Sequence, residues 1–127
     1  MRAIDSNVLV RLLARDDDAQ TALAEAFVVK GAWVPLLALI ETMWVLVAVY
    51  ERSAEQIARA VAMLLSHQQL VLERGDIVSA ALDEFHGKPR VDFSDCLMLR
   101  VAHAAGHLPL GTFDKGLARR DGAELLR

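Results

Sequence analysis

The chain has one cysteine, Cys96, so it forms no disulfide within itself and builds no cysteine-based metal site. A lone thiol suits a reducing compartment, and a cytoplasmic location is expected. Seven glycines and three prolines are too few for a collagen-like or proline-rich architecture. An apolar content of 54% excludes disorder. Positive charge is not in excess either: 14 Lys and Arg stand against 17 Asp and Glu, a formal net charge of −3. That balance speaks against coating nucleic acid through bulk charge, though not against holding it at one site.

No long apolar run lacks an interruption. The longest, residues 32–50, carries Pro35 near its start and Glu41-Thr42 near its middle. A glutamate at the centre of a bilayer costs about 2.5 kcal/mol or more. The run therefore reads as a short strand followed by a buried helix, and no membrane contact is expected. Residues 1–18 hold no uninterrupted signal-peptide core. Nucleotide-binding loops of the GxxxxGK[ST] and GxGxxG types are missing, as are CxxC and HExxH. His103 and His107 have the spacing of a two-histidine metal face, but Gly106 is expected to end the helix between them. They read as surface or helix-capping groups. Cys96 reads as a small buried apolar residue. Trp33 and Trp44, set among aliphatic residues, read as core or interface packing.

At 127 residues the chain suits one domain, residues 1–127. Short apolar runs at Arg2–Ile4, Ala32–Val34, Leu70–Leu72 and Leu108–Thr112 read as strands, with Ala123–Leu126 as an edge strand. Helices are expected at Asn7–Ala14, capped by Asp5 or Ser6, and at Ala19–Val29, closed by Gly31. Others are expected at Leu36–Tyr50 and from the Ser53–Gln56 capping box to about Ser66. Further helices are Ile77–Phe85, ended near Gly87 and Pro89, and one from Asp92 or Ser94 through Ala105. A short turn follows over Asp114–Arg120. Strands alternate with helices, which predicts an α/β domain with a mostly parallel sheet.

Four of the seventeen acids stand out: Asp5, Glu41, Asp95 and Asp114. Asp5 and Asp114 follow strands directly, and the carboxyl ends of parallel strands are where such folds place their sites. Asp95 lies in the first turn of its helix. Each of these three also has a plainer reading as a helix cap. Glu41 has none. It sits too far into its helix to cap it, among apolar neighbours, so it is paired, protonated or cation-bound, or its face opens on a cleft.

Were all four to converge, each pair at about 5 Å would repel by about 3 kcal/mol at an effective dielectric of about 20. Such a cluster needs a counter-charge. Oxygen-only ligands suit hard divalent cations, which activate water and stabilise charge on phosphoryl oxygens. Lys115, Arg119 and Arg120 follow Asp114, and Arg11 and Arg15 lie on the first helix. These are candidate phosphate contacts, with ordinary solvated charges as the plainer reading.

Four blocks in order carry a resemblance: Ile4-Asp5-Ser6-Asn7-Val8-Leu9, Leu39-Ile40-Glu41-Thr42-Met43-Trp44-Val45-Leu46, Val91-Asp92-Phe93-Ser94-Asp95-Cys96-Leu97 and Gly111-Thr112-Phe113-Asp114-Lys115. Together they resemble the PIN-domain ribonucleases, specifically the VapC-like toxins of toxin–antitoxin pairs. The resemblance implies an α/β/α sandwich around a central, mostly parallel sheet and a Mg²⁺- or Mn²⁺-dependent endoribonuclease. It implies Asp5, Glu41, Asp95 and Asp114 as catalytic and metal-holding residues, with Thr112 and Asn7 in support. Asp92 either joins the site or only caps its helix. The first motif reads Asp-Ser-Asn where Asp-Thr-Asn is more usual. The resemblance also implies an RNA substrate, a homodimer and a cognate antitoxin whose C-terminal segment lies over the active-site groove. The helix over Leu36–Tyr50 and the segment Ser53–Leu65 are the candidate contact surfaces.

Two rival readings are a non-catalytic binding module of this fold and a signalling receiver domain. A receiver needs an adjacent acidic pair after the first strand, where only Asp5 stands. It also needs a phosphorylatable aspartate after the third, where the nearest is Asp76.

Overall fold

The computed structural model describes residues 1–88 and 90–127, in two compact units, Met1–Gly75 and Asp76–Arg127. In the first, three short strands, β1 (Arg2–Ala3), β2 (Ala32–Val34) and β3 (Leu70–Leu72), pair in parallel in the order β1-β2-β3. In β2 and β3 the first and third side chains are buried and the middle one is exposed, the period of two that a strand with one covered face requires. Four helices connect and follow the strands: α1 (Ser6–Ala14), α2 (Asp18–Val28), α3 (Leu36–Ala48) and α4 (Ala54–Ser66). Helix α1 packs on both α2 and α3. Their buried residues, among them Leu9, Leu39, Met43, Val61 and Leu64, join Val34 in the core.

The helix ends follow local chemistry. Asp17 accepts the Gln20 N–H at 3.0 Å and so caps α2. Ser53 and Gln56 form the full reciprocal capping box on α4. Ser53→Ala removes the serine half of that box, and a loss of about 1 kcal/mol is expected in urea denaturation. Gly31 takes φ +92, a left-handed turn that L side chains resist, and its N–H closes on the Val28 carbonyl at 2.8 Å. Pro35, before α3, has no side-chain cap to offer. Glu73, just past β3, does the work instead: its Oε1 accepts the Leu36 N–H at 2.7 Å.

The second unit, from Asp76 on, holds α5 (Gly75–Phe85), α6 (Phe93–Ala105), β4 (Leu110–Thr112), α7 (Lys115–Ala118) and β5 (Ala123–Leu125). Strands β4 and β5 pair in parallel. Phe85 and Phe93 meet edge to face at 5.8 Å between ring centres, and Val78, Ala81, Leu97 and Leu99 of the same unit are buried. Gly106 ends α6 at φ +80, as expected.

The α/β class and the parallel strand pairing are as expected. The strands divide into ladders of three and two, with no β4 pairing to the three-stranded ladder among the described residues. With strands of two or three residues, each pairing rests on very few hydrogen bonds. Helix α3 ends at Ala48 rather than Tyr50, and β4 starts at Leu110 rather than Leu108. Helix α5 ends at Phe85; Pro89, expected near its end, lies outside the described residues. Trp44 is 67% exposed, which rules out core packing and leaves the interface half of its reading open. Among the described residues no helix is long and apolar enough to cross a membrane.

Candidate active site

The path of β1 continues through Ile4, whose N–H donates to the Trp33 carbonyl at 3.0 Å, and delivers Asp5 to the carboxyl edge of the first ladder. The edge of β2 leads through Pro35 into α3. An open pocket forms there, lined by Asp5, Ser6, Pro35, Leu37, Ala38 and Glu41 among others. Glu41 is exposed while Thr42 and Met43 beside it are buried. One residue along a helix turns the side chain by about 100°, enough to move it from the core to the cleft. Of the possibilities open for Glu41, a face on a cleft is the one observed. Its Oε2 accepts a hydrogen bond from Ser6 Oγ at 3.0 Å.

Asp5, not Ser6, caps α1: its Oδ1 accepts the Val8 N–H at 3.0 Å. The cap lies at extended φ and ψ, which Asp5 has and Ser6, the first helical residue, does not. Ser6 is thereby free to orient Glu41. Asn7 is exposed and lines a different groove, between α1 and α2, with Val8, Arg11 and Leu23. Arg11 is tied up in an ion pair with Asp16, whose other oxygen accepts the Tyr50 hydroxyl at 2.7 Å. Arg15, at φ +55, turns the chain so that Asp16 comes back to Arg11, and itself pairs with Glu25. Both arginines thus have a carboxylate partner at the surface.

In the second unit Asp92 occupies the cap position of α6 without a side-chain cap bond; its carbonyl accepts the N–H groups of Asp95 and Cys96 at 3.1 Å each. Asp95 is half-buried one turn along. Burial first, then the charges of Asp92 and Asp114, push its carboxyl above the ordinary value. Asp114 ends the loop after β4 and caps α7, its Oδ1 accepting the Leu117 N–H at 2.9 Å. Thr112 Oγ1 accepts the Asp114 backbone N–H at 3.0 Å and so braces the chain at the acid.

Lys115 and Arg119 are exposed. Arg120 is not: it is 6% exposed and donates to Glu84 Oε2 at 2.6 Å, the Gly87 carbonyl at 2.9 Å and the Glu84 carbonyl. Its reading as a phosphate contact is corrected, because a buried, paired guanidinium cannot meet solvent-borne RNA. Cys96 is fully buried and burial pushes its thiol up to about 11, so it is no nucleophile. His103 and His107 are exposed, and Asp76 lies in the first turn of α5.

Residues 3–123 match the family model of the PIN domain. The chain belongs to the PIN-domain family. Neither a curated protein nor a solved structure matches it. PIN domains are generally metal-dependent nucleases, and the donor chemistry of this one fits: its candidate ligands are carboxylate oxygens throughout, the set that Mg²⁺ and Mn²⁺ prefer. Among the described residues no three His, Cys, Asp or Glu side chains form a ready-made cage. Mg²⁺ keeps several waters and takes few protein ligands, so its binding does not require one.

The electrostatics of Asp95 in this PIN domain predict a pH dependence. A carboxyl whose folded value lies above its unfolded one, 3.8, disfavours folding once it ionises. The penalty is absent below pH 3.8, develops as pH rises through the folded value, and is complete above it. Metal-free Asp95→Asn is therefore expected to melt above wild type at pH 7, the gap closing as pH falls toward 3.8. Thermal melts across that range check it.

Nothing in the sequence marks Glu73 or Glu84. Each serves a partner more than thirty residues away, and no local pattern carries such a signal.

Proposed function

We propose that this PIN domain is a Mg²⁺- or Mn²⁺-dependent endoribonuclease, the VapC-like toxin of a toxin–antitoxin pair acting in the cytoplasm. The observation that carries the reading is the pocket at the carboxyl edge of β1 and β2, where Asp5 and Glu41 line one opening and Ser6 holds Glu41 in place. Asp5, Glu41, Asp95 and Asp114 are the residues to hold the cation, which when bound supplies charge stabilisation at the phosphoryl group and a more acidic water.

The chain's own residues do the rest. Ser6 orients Glu41, and Thr112 orients Asp114. Exposed Lys115 and Arg119 attract the phosphate backbone. Asp92 adds negative charge beside Asp95. The family resemblance supports cleavage to 5′-phosphate and 3′-hydroxyl ends. A homodimer and an antitoxin are supported by the exposed stripe of Leu37, Trp44 and Val47 on α3, since contiguous apolar surface marks protein contacts.

The test is incubation of the purified chain with RNA in Mg²⁺ or Mn²⁺ and in EDTA. Cleavage with either ion that stops in EDTA is expected. No cleavage with either ion, or equal cleavage in EDTA, overturns the proposal.

A further inference from the structure

We propose that Phe113 is a stacking platform for one unpaired base of the RNA, beside the carboxylate of Asp114. This rests on the nuclease reading above and names what the site recognises. The chain has four phenylalanines. Phe85 and Phe93 are each 3% exposed and pack on one another, and Phe27 is covered by the Arg2 guanidinium. Phe113 is 79% exposed.

A single exposed apolar side chain is ordinary. This one differs in being held from both sides. The Thr112 carbonyl accepts the Leu126 N–H at 2.8 Å, and the Thr112 hydroxyl accepts the Asp114 N–H at 3.0 Å. Asp114 is in turn fixed by the Leu117 N–H at 2.9 Å. The ring is thus presented on a braced backbone, which lowers the entropy lost on binding. Leu126, the nearby apolar side chain, packs over Gly111.

The company of Phe113 selects its occupant. Asp114, Lys115 and Arg119 are all exposed around it in the chain. An exposed aromatic with exposed Lys115 and Arg119 two and six residues along the chain suits a nucleotide, whose base stacks while its phosphate meets the charges. Trp44, 67% exposed, makes the contrast: it lies on α3 with exposed Leu37 and Val47, an apolar setting that suits a protein partner. Bases inside a duplex are already stacked, so the preferred substrate is single-stranded or looped RNA.

The test uses the full chain carrying Asp95→Asn, to stop turnover, and a fluorescein-labelled single-stranded RNA followed by anisotropy. Phe113→Leu keeps apolar bulk and loses the π face; Phe113→Tyr keeps both. Leucine is expected to weaken binding roughly tenfold, within the roughly 5- to 150-fold worth of one stacked base, while tyrosine binds like the parent. The melting temperature of all three is expected to agree, because the ring is not packed.

In the cleaving chain, Phe113→Leu raises KM and leaves kcat near the parent value. Leucine binding RNA as the parent does overturns the proposal. So does a leucine variant that loses self-association in sedimentation with RNA binding intact, which would make the occupant a second copy. If the parent binds and cleaves no RNA, the nuclease reading fails first and takes this one with it.

Discussion

Asparagine in place of Asp5 is expected to lower RNA cleavage by at least about 10²-fold, the cost typical of removing one electrostatic contribution to the transition state, while the domain stays as stable as the parent. Asp5 has two tasks. Its Oδ1 caps α1 through the Val8 N–H, and its charge faces the pocket shared with Glu41. Asparagine caps a helix as well as aspartate does, so Asp5→Asn removes the charge and spares the cap. Asp5→Ala removes both and is expected to lose about 1 kcal/mol as well. The two variants separate the plain reading of Asp5 as a cap from the functional one. Asp114 repeats the logic, since it caps α7 through Leu117. Initial cleavage rates beside urea melts make the measurement, and an Asp5→Asn chain cleaving at the parental rate would remove this residue from the site.

The second large effect is on stability. Glu84→Ala is expected to cost about 3–5 kcal/mol, the loss typical of removing one partner of a buried ion pair. Arg120, 6% exposed, has the Glu84 carboxylate as its counter-ion at 2.6 Å. The backbone carbonyls of Glu84 and Gly87 accept further bonds from it but carry no full charge. Glu84 also stands 3.6 Å from Arg100, so its removal affects two guanidinium groups. Gly87 belongs to the same arrangement: a Cβ there would run into the Arg120 guanidinium. Against a typical total stability of about 5–15 kcal/mol, such a loss is a large fraction of what holds the fold. Urea denaturation of Glu84→Ala reads it directly. A loss under about 1 kcal/mol would mean that the pair behaves as a solvated surface bridge.

What could be read in the sequence was local. The Ser53–Gln56 box, the Ala32–Val34 strand and the stop at Gly106 each depend on residues within one turn of each other, and each stands where expected. Long-range partnerships left no such trace. Glu73 caps α3 across 37 residues, and Glu84 meets Arg120 across 36. Arg11 and Arg120 look alike in the sequence to free arginines such as Arg119. Only folding sets the first against Asp16 and buries the second.

Glu41 lies between these cases. Its apolar neighbours allowed several fates, and the turn of α3 selects the cleft. The ring of Phe113 was legible as a residue beside Asp114, but not as an exposed one. The division of the strands into two ladders was likewise hidden, because β-pairing of such short segments is decided by tertiary packing.

That the carboxylates of Asp5, Glu41, Asp95 and Asp114 are ligands to divalent cations is our proposal. Its most direct test is Mn²⁺ titration of the melting temperature of the parent and of Asp5→Asn, Glu41→Gln, Asp95→Asn and Asp114→Asn. Binding to the folded state alone raises stability by about 2.7 kcal/mol at a hundred times Kd. A Mn²⁺-dependent rise is expected for the parent, and each of the four variants is expected to lose it in large part. A parent that does not respond to Mn²⁺, or a rise of equal size in all four variants, would contradict it.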